Sequence, residues 1–501
     1  MSAFSSLTIR DVLDRHAQAR PDAPFLLAPE PQRTLTYGDL AAQTNRLAAY
    51  LRARDFAPGS TVALHLHNGY QTAALFVGLM AAGYTVAPLN LLSQAGQLSQ
   101  VIAHSEARLV FGCREYEDLL RKALAQIANA PEAVIIDIDA ATLFPEASAP
   151  RIAIAPTDIA LLMYTSGTTG MPKGVQLSHA NLLAGASAVA GWHGLGESDR
   201  VLSSLPLYHI NGQVIGTLAP FLSGGSIVAP HRFSASQWWD FVDRYRCTWI
   251  NMVPTIIAYL LAGDETRKFP HVRFGRSASA PLPPDQHKAF EERFGVSVIE
   301  AMGMTECASI VFCNPHDDRR RYGSPGLPCG VEAGIVGADG ARLGANETGE
   351  IVLRGPNVMA GYFKAPDKTT EAIDGDGWLR TGDLGLRDAD GFYFITGRLK
   401  ELIIKGGENI APREIDEALL KHPAVLEAAA VGVPDKAYGQ DIAVGLVLRP
   451  GAIFDEQALV GWCENELGRY KTPRQWRVLD ELPKGPSGKV QRLALLDFFR
   501  A

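Results

Sequence analysis

The 501-residue sequence has few cysteines, no excess of positive charge and no long apolar run. Its six cysteines are scattered without a CxxC pair, which argues against a zinc-stapled domain or a secreted disulfide framework. A formal net charge of −7 gives no general attraction for nucleic acid. No apolar run approaches the roughly 20 residues of a membrane span. The N-terminus also lacks the basic and apolar regions of a signal peptide, so the sequence predicts a cytoplasmic protein.

Helices and short apolar strands alternate through the first half of the chain. Asp39–Arg52 and Tyr70–Ala82 have helical periodicity, whereas Val62–Leu66 and Val134–Ile138 are short apolar runs typical of strands. Strands that alternate with helices predict parallel sheet and βαβ units. From Gly323 to Phe394 the pattern changes to short strands separated by turns, which predicts a smaller, mostly β subdomain.

A further α+β pattern begins after Arg398. Pro412–Lys421 has helical periodicity and Glu427–Val433 is an apolar, strand-like run. The segment after this point has about 100 residues, the usual size of an independent domain. We therefore predict two domains, residues 1–397 and 398–501.

The strongest local signal is the string YTSGTTGMPKG, which spans Tyr164–Gly174 and follows the apolar strand Ile159–Met163. Glycines let a backbone turn tightly and expose its N–H groups, and hydroxyl side chains add donors, so this string can cradle phosphates. Its spacing is neither that of the P-loop nor that of the dinucleotide motif. The alternative is a flexible surface turn. The candidate phosphate-binding residues are Thr165, Ser166, Gly167, Thr168, Thr169, Gly170 and Lys173.

This string resembles the phosphate loop of the adenylate-forming superfamily, which comprises acyl-CoA synthetases, adenylation domains of peptide synthetases, and luciferases. Further matches follow in the family's order along essentially the whole chain, at Leu205–His209, Ser277–Pro281, Gly303–Glu306, Gly349–Ile351, Gly361–Phe363, Thr381–Asp383, Gly397–Lys405, Gly406–Asn409 and Pro483–Lys489. The resemblance implies an α/β fold. Its large N-terminal domain has packed mixed sheets, helices and a small β subdomain, and its smaller α+β C-terminal domain is mobile.

The resemblance also implies a two-step reaction, in which ATP and Mg²⁺ activate a carboxylic acid as an acyl-adenylate and the acyl group passes to coenzyme A. In that scheme Lys489 lies between the acid carboxylate and the α-phosphate, where a cation offsets the repulsion between two anions. Glu306 matches the family's magnesium ligand, a hard oxygen donor, with Thr305 near the α-phosphate and His209 beside the acid. Without the resemblance, Thr305 and Glu306 would indicate a helix N-cap, and Lys489 an exposed turn lysine.

Other matched positions are implied to hold the nucleotide. Asp383 resembles the family's ribose clamp, because a carboxylate can accept hydrogen bonds from vicinal hydroxyls, and Arg398 resembles a ribose or phosphate contact. Taken alone, Asp383 is a common turn residue. Met302 stands where the family usually has an aromatic residue against adenine, and a thioether offers that ring less contact area. The remaining matched nucleotide positions are Ser279, Ala280, Pro281, Glu300, Ala301 and Gly303.

Lys400 matches the family hinge, about which the small domain rotates between an adenylating and a thioester-forming pose. Lys405, Gly406 and Gly407 follow it and match the coenzyme A passage, where glycines let pantetheine lie close to the backbone. The alternative is an ordinary αβ connecting turn.

Two arginines are the most informative residues near the predicted acyl site, which also includes His209 and Ser277. Arg276 lies inside a strand that should be buried, where an unpaired charge is costly. Arg232 matches a position where malonate-activating relatives bind the distal carboxylate, and a guanidinium suits a carboxylate or a sulfonate. We therefore predict a short acid with a second anionic end. Arg232 could equally be a basic residue paired at the surface.

Three other functions are compatible with parts of this pattern. A stand-alone adenylation enzyme would load a carrier protein instead of coenzyme A, although the 501-residue chain leads us to expect a diffusible thiol acceptor. A luciferase-like oxygenase would share the motifs. A non-catalytic nucleotide sensor would have lost Lys489, Glu306 or Asp383, and all three are present. The sequence is compatible with a homo-oligomer.

We expect Lys489→Ala to abolish adenylation but to spare conversion of a supplied acyl-adenylate and coenzyme A into the thioester. The matched lysine acts only in the first step, where loss of its charge and orientation costs several powers of ten in rate. Pyrophosphate release and thioester formation, measured separately, check this expectation. Equal loss in both half-reactions would contradict it.

Overall fold

The computed structural model describes residues 6–165, 173–484 and 490–499. The chain divides into two compact units, the larger made of Met1–Ala333 and Leu353–Leu379, and the smaller of Gly334–Val352 and Arg380–Ala501. The predicted mixed α/β fold with a larger N-terminal and a smaller C-terminal part is confirmed. The boundary predicted at residue 397 stays a prediction, and Gly397 lies within the strand Tyr393–Arg398, which pairs with the strand Leu379–Arg387. Movement of residues 398–501 as a domain stays a prediction.

The strands are numbered in chain order. They are β1 (Pro24–Ala28), β2 (Arg33–Thr36), β3 (Thr61–His65), β4 (Thr85–Pro88), β5 (Leu109–Cys113), β6 (Glu132–Ile136), β7 (Ile159–Thr165), β8 (Lys173–Ser178), β9 (Arg200–Ser203), β10 (Ser226–Val228), β11 (Trp249–Met252), β12 (Phe274–Ser277), β13 (Val298–Met304), β14 (Ser309–Cys313), β15 (Leu327–Pro328), β16 (Glu332–Val336), β17 (Gly349–Arg354), β18 (Gly361–Tyr362), β19 (Leu379–Arg387), β20 (Tyr393–Arg398), β21 (Ile403–Lys405), β22 (Glu408–Ile410), β23 (Val425–Asp435), β24 (Gly439–Leu448) and β25 (Gln475–Val478).

The α-helices are numbered in the same way. They are α1 (Ile9–Ala19), α2 (Tyr37–Arg52), α3 (Tyr70–Ala82), α4 (Ala95–His104), α5 (Glu117–Leu124), α6 (His179–His193), α7 (Ala219–Ser223), α8 (Ala235–Arg244), α9 (Pro254–Ala262), α10 (Pro284–Phe294), α11 (Pro366–Ala372), α12 (Pro412–Leu420) and α13 (Glu456–Leu467). A π-helical segment, Asn211–Leu218, precedes α7. In the described part of the chain, no helix is both long and apolar enough to cross a membrane.

Two large sheets form the framework of the larger unit. Within the described residues, one has nine strands in the order β15-β14-β13-β12-β11-β9-β10-β1-β2, and the other has seven in the order β18-β8-β7-β4-β3-β5-β6. Strands β10, β9, β11, β12 and β13 run parallel to one another, as the alternating helix-strand pattern predicts, and β14 pairs antiparallel with β13. The carboxyl ends of these strands therefore lie along one edge of the sheet.

Local sequence explains where several helices begin and end. Thr8 and Asp11 form a capping box that starts α1, and Thr36 and Asp39 do the same for α2. Helix α3 is buried all round, so it needs no polar face, and it ends at Gly83 with a φ of 88°. These features confirm the sequence prediction of a helix over residues 70–82.

A cluster of aromatic side chains forms part of the core beside the nine-stranded sheet. Trp239 stacks on Phe269 with ring centroids 4.3 Å apart and also contacts Phe290 and Phe294. Trp239 belongs to α8, and Phe290 and Phe294 belong to α10. Their rings therefore pack the two helices together against residues of the sheet. Each buried aromatic side chain removes a large apolar area from water, which stabilises this side of the unit.

The smaller unit contains most of a four-stranded sheet and, among the described residues, a separate five-stranded one. The first has the order β16-β17-β19-β20. The second has the order β22-β21-β24-β23, with β25 parallel to β24. Apolar residues of α12, α13 and the second sheet form the core of this unit, including Ile415, Leu419, Leu459 and Trp476.

Two glycines of α6 offer a matched test of packing. A Cβ at Gly185 would overlap the carbonyl oxygen of Ala308, whereas a Cβ at Gly191 meets nothing within 4 Å. Both Gly→Ala changes gain about 1 kcal/mol of helix propensity. We expect Gly185→Ala to lower the thermal unfolding midpoint, since overpacking costs about 1–3 kcal/mol, and Gly191→Ala to raise it slightly. Equal midpoints for the two variants would show that α6 does not approach Ala308 so closely.

Candidate active site

The two ends of the predicted phosphate loop face each other across a strand pair. Thr165 ends β7 and Lys173 begins β8, and the two residues lie directly opposite in the antiparallel register. The predicted phosphate-binding residues Ser166, Gly167, Thr168, Thr169 and Gly170 lie outside the described residues. The amine of Lys173 lies 4.6 Å from the centroid of the Tyr362 ring, which is a cation–π contact.

Tyr362 also contacts the predicted magnesium ligand. Its phenol donates a hydrogen bond to Oε1 of Glu306 at 3.0 Å, and the Met359 amide donates to the Glu306 carbonyl at 2.7 Å. Burial, and then the Glu306 charge, raise the pKa of Tyr362, so the phenol stays protonated and keeps donating. The half-buried carboxylate has no second hydrogen bond in the described residues, and a cation held alongside phosphates suits such a group. Thr305 lies beside it in the same 3₁₀ turn.

The strand before this turn carries the other predicted nucleotide residues. A Cβ at Gly303 would overlap the Ser309 carbonyl, so this position requires glycine. Met302, where an aromatic residue is usual, is half-buried and pairs in register with Phe312. Buried Glu300 accepts a hydrogen bond from the Leu282 amide at 3.2 Å and so fixes the loop next to β13. That loop exposes Ser279, Ala280 and Pro281, and Ala301 is buried beside Glu300.

Ser279 itself has a strained backbone. Its φ of 75° lies in the left-handed region, which is uncommon for a residue other than glycine. Its hydroxyl accepts a hydrogen bond from Nδ2 of Asn211 at 3.3 Å. Strain of this kind collects at functional sites, because surrounding contacts must hold it in place.

Arg276 is fully buried without a carboxylate partner in the described residues. Its Nη1 donates to the side-chain oxygens of Asn211 at 3.3 Å and Asn251 at 3.4 Å. Its Nε and Nη2 have no hydrogen-bond partner among the described residues. Burial lowers the pKa of Arg276 to about 10, which leaves the guanidinium charged at neutral pH. The guanidinium edge that can hold two oxygens of one anion is therefore unused.

Arg232 lies in a different environment. Its side chain is 75% exposed and pairs with Glu115 at 3.3 Å. These contacts favour the surface role that the sequence left open, and among the described residues the hydrogen-bond acceptors of Arg232 differ from those of Arg276. Ser277 is buried next to Arg276 in β12, and half-buried His209 has its ring 4.7 Å from that of Tyr208.

The smaller unit carries the predicted ribose and hinge residues. Asp383 and Arg398 are register partners on β19 and β20, and Nε of Arg398 lies 2.8 Å from Oδ1 of Asp383. This ion pair orients a buried carboxylate. Lys400 is exposed in the 3₁₀ turn Leu399–Glu401. Lys489 lies outside the described residues.

Lys405 is buried in an ion pair. Its amine lies 2.6 Å from Oδ1 of Asp441 and donates to the Tyr470 carbonyl at 2.9 Å. The glycines that follow, Gly406 and Gly407, have φ values of 57° and 88°, which favour glycine. That coenzyme A passes here stays a prediction. Because the Lys405 amine is already paired, coenzyme A would contact the backbone of the two glycines and not that amine.

Sequence reasoning missed Tyr362, Asn211 and Asn251 as site residues. Tyr362 lies in a matched motif but was given no role, and its partner Glu306 is distant in sequence. Asn211 follows His209 by two positions. Asn251 is a polar residue in the apolar strand Trp249–Met252, and this mismatch is the signal that could have identified it.

Comparison with known families matches both parts of the chain. The model described as AMP-binding enzyme matches residues 13–363, and that described as AMP-binding enzyme C-terminal domain matches residues 414–489. The chain is 53% identical over 498 residues to a sulfoacetate–CoA ligase of Cupriavidus necator, covering 98% of this chain and 97% of that protein. It is 34% identical over 512 residues to an oxalate–CoA ligase of Arabidopsis thaliana, covering 99% of each.

Solved structures agree with these matches. ATP-bound MatB from Rhodopseudomonas palustris superimposes with a TM-score of 0.90 at 30% identity, covering 99% of this chain and 100% of that one. The o-succinylbenzoate CoA synthetase of Bacillus subtilis, in complex with its acyl-adenylate intermediate, gives 0.87 at 32% identity, covering 97% of each.

The Tyr362–Glu306 hydrogen bond can be tested without changing the carboxylate. We expect Tyr362→Phe to raise the Mg²⁺ concentration for half-maximal pyrophosphate release by about 10-fold, because groups that orient a metal ligand contribute that much. Tyr84→Phe, a buried tyrosine of the same unit, is the control and should leave the Mg²⁺ dependence unchanged. An unchanged Mg²⁺ dependence in Tyr362→Phe would show that Tyr362 does not orient a magnesium ligand.

Proposed function

Since this chain belongs to the family of AMP-binding enzymes and is an AMP-forming acid–CoA ligase, we propose that its substrate is sulfoacetate or a similarly short acid with a second anionic end. Two relatives act, by name, on sulfoacetate and on oxalate, and each of these acids carries a second negative group. The proposal therefore concerns the acid, and the reaction follows from the family. ATP, Mg²⁺ and coenzyme A are the co-reactants of that reaction.

The observation that carries this proposal is the unused edge of Arg276. A fully buried guanidinium costs free energy unless an anion accompanies it, and the described residues offer it only amide oxygens. A sulfonate or carboxylate could accept from Nε and Nη2 together. Such an anion would supply both the missing charge and the missing hydrogen bonds. A neutral end, even one with oxygen acceptors, would bring no charge to the buried guanidinium and would therefore bind less well.

The position of Arg276 suits a short acid. Arg276 shares Asn211 with the Ser279 hydroxyl, and Ser279 begins the loop predicted to hold the nucleotide. Through Asn211, Arg276 is therefore linked to that loop by two hydrogen bonds, a separation that a short acid could span. Holding the acid by its distal anion near the nucleotide would lower the entropic part of the barrier.

Neither reaction step involves a second anionic group on the acid, so the role of Arg276 would be to bind and select the acid. In the first step a carboxylate oxygen bonds to the α-phosphorus of ATP, the α–β phosphoanhydride bond breaks, and pyrophosphate leaves. In the second, the coenzyme A sulfur bonds to the acyl carbon, the acyl–phosphate bond breaks, AMP leaves, and the thiol proton passes to solvent. Glu306 would hold Mg²⁺ during the first step, with Tyr362 fixing its orientation.

Two arginine variants test the assignment against each other. We expect Arg276→Met to lower kcat/KM for sulfoacetate by about 100-fold, since each buried charge-assisted hydrogen bond contributes about 1.5–3 kcal/mol. The same change should leave or improve kcat/KM for methylsulfonylacetate, which has the same shape but a neutral end. Arg232→Met, which removes an exposed arginine, should leave the ratio of the two values unchanged.

The thermal midpoint of the free enzyme separates this result from misfolding. Replacing an unpaired buried charge with a side chain of similar volume should leave that midpoint equal or higher. A wild-type enzyme that does not prefer sulfoacetate over methylsulfonylacetate would refute the proposed substrate class. A ratio that moves with Arg232→Met and not with Arg276→Met would transfer the role to Arg232.

A further inference from the structure

The surroundings of the Arg276 guanidinium are polar but uncharged. Asn211 and Asn251 both accept from the same nitrogen, Nη1, and Nδ2 of Asn251 donates to Oδ1 of Asn211 at 3.0 Å. Nδ2 of Asn251 also lies 3.4 Å from the hydroxyl of Ser203. Each amide is therefore fixed by more than one partner, and together they hold one side of the guanidinium.

The sheet register brings these side chains together. Ser203, Asn251 and Arg276 are direct partners on the parallel neighbours β9, β11 and β12, so they point to the same face. Asn211, at the start of the π-helical segment, reaches this face. Gly216 of the same segment allows the close approach, since a Cβ there would lie 2.6 Å from the Ser203 hydroxyl.

The ionisable groups nearby carry no negative charge at neutral pH. The thiols of Cys313 and Cys329 are the groups whose charge would most favour the guanidinium. Burial raises the pKa of Cys329 to about 12 and that of Cys313 well above its usual value, so both remain neutral. Buried His193, on α6, also faces Arg276, and burial lowers the pKa of His193 well below its usual value, so it too is neutral. No described residue offers a carboxylate hydrogen bond to Arg276.

We propose that Asn211 and Asn251 are specificity-determining residues, which orient the Arg276 guanidinium without neutralising it, so that the substrate must bring the counter-ion. This inference rests on the proposed function and adds the reason why Arg276 selects an anion. An aspartate at either position would have the same shape but would supply the charge internally. The enzyme's preference for a second anionic group therefore depends on uncharged amides at Asn211 and Asn251, at positions where the carboxylate of an aspartate would also fit.

Asn251→Asp is the direct test, because it changes charge with little change in shape. We expect kcat/KM for sulfoacetate to fall by about 100-fold, while that for methylsulfonylacetate stays level or rises, so that the preference is lost or inverted. The free variant should unfold at a higher temperature than wild type, because its buried cation gains a partner. The rise in unfolding midpoint that sulfoacetate produces in wild type should disappear.

Asn251→Leu is the matched control, because leucine has the same number and branching of side-chain heavy atoms and no charge. It removes a hydrogen bond to Arg276 and should lower activity on both acids, but it should keep the preference for sulfoacetate because the cation stays unpaired. Asn211→Asp provides a second, independent placement of the carboxylate if Asn251→Asp does not fold. Its expected loss of preference is the same.

The outcomes separate this inference from the proposed function. If wild type prefers sulfoacetate and both aspartate variants keep that preference and the sulfoacetate-induced rise in unfolding midpoint, the amides do not set specificity and the inference fails alone. If wild type shows no preference, the proposed substrate class fails and this inference fails with it. Loss of preference in Asn251→Leu equal to that in Asn251→Asp would mean that orientation matters and charge does not, which also overturns the inference.

Discussion

Desolvation of one guanidinium, that of Arg276, is the constraint on which the proposed acid site of the larger unit depends. Removing a cation from water costs several kcal/mol unless an opposite charge accompanies it, and Arg276 has only amide oxygens within hydrogen-bond distance among the described residues. Packing of apolar and aromatic side chains and pairing of the parallel strands around Arg276 stabilise the fold and offset this cost. A substrate anion at Arg276 would relieve this cost, and the relief would contribute to the free energy of binding.

The nucleotide side of the larger unit uses the opposite arrangement. Lys173 and Glu306 carry opposite charges and both contact the single ring of Tyr362, one through its face and the other through its hydroxyl. Each charge is therefore partly balanced before any phosphate or metal arrives. Under the proposed function, the acid site would select by an imbalance of charge, whereas the predicted nucleotide side would position groups whose charges are partly balanced by Tyr362.

Much of the fold could be predicted because its signals are local. The buried helix Tyr70–Ala82 is a continuous apolar run that ends at glycine, and Thr8 caps α1 through a side chain three residues from its partner. The strand predicted at residues 134–138 is found at Glu132–Ile136, because its limits follow pairing with β5, which a single segment does not reveal. The family was identified from short local motifs together with their order along the whole chain.

The candidate site was less predictable wherever it depends on distant residues. The sequence predicts that Arg276 is buried in its strand, but only the register of β11 against β12 shows that Asn251 lies beside it. Likewise the Tyr362–Glu306 bond joins two motifs that the sequence identified separately. The roles of Lys489 and Lys400 stay predictions.

The buried ion pair of Lys405 has a consequence for chemical labelling. Its amine is enclosed with Asp441 and the Tyr470 carbonyl, while Lys400 a few residues earlier is exposed. Amine-specific acylating reagents should therefore modify Lys400 quickly and Lys405 only when the smaller unit opens. The ratio of peptides modified at Lys405 to those modified at Lys400 would therefore measure how often the smaller unit unfolds locally and exposes its interior.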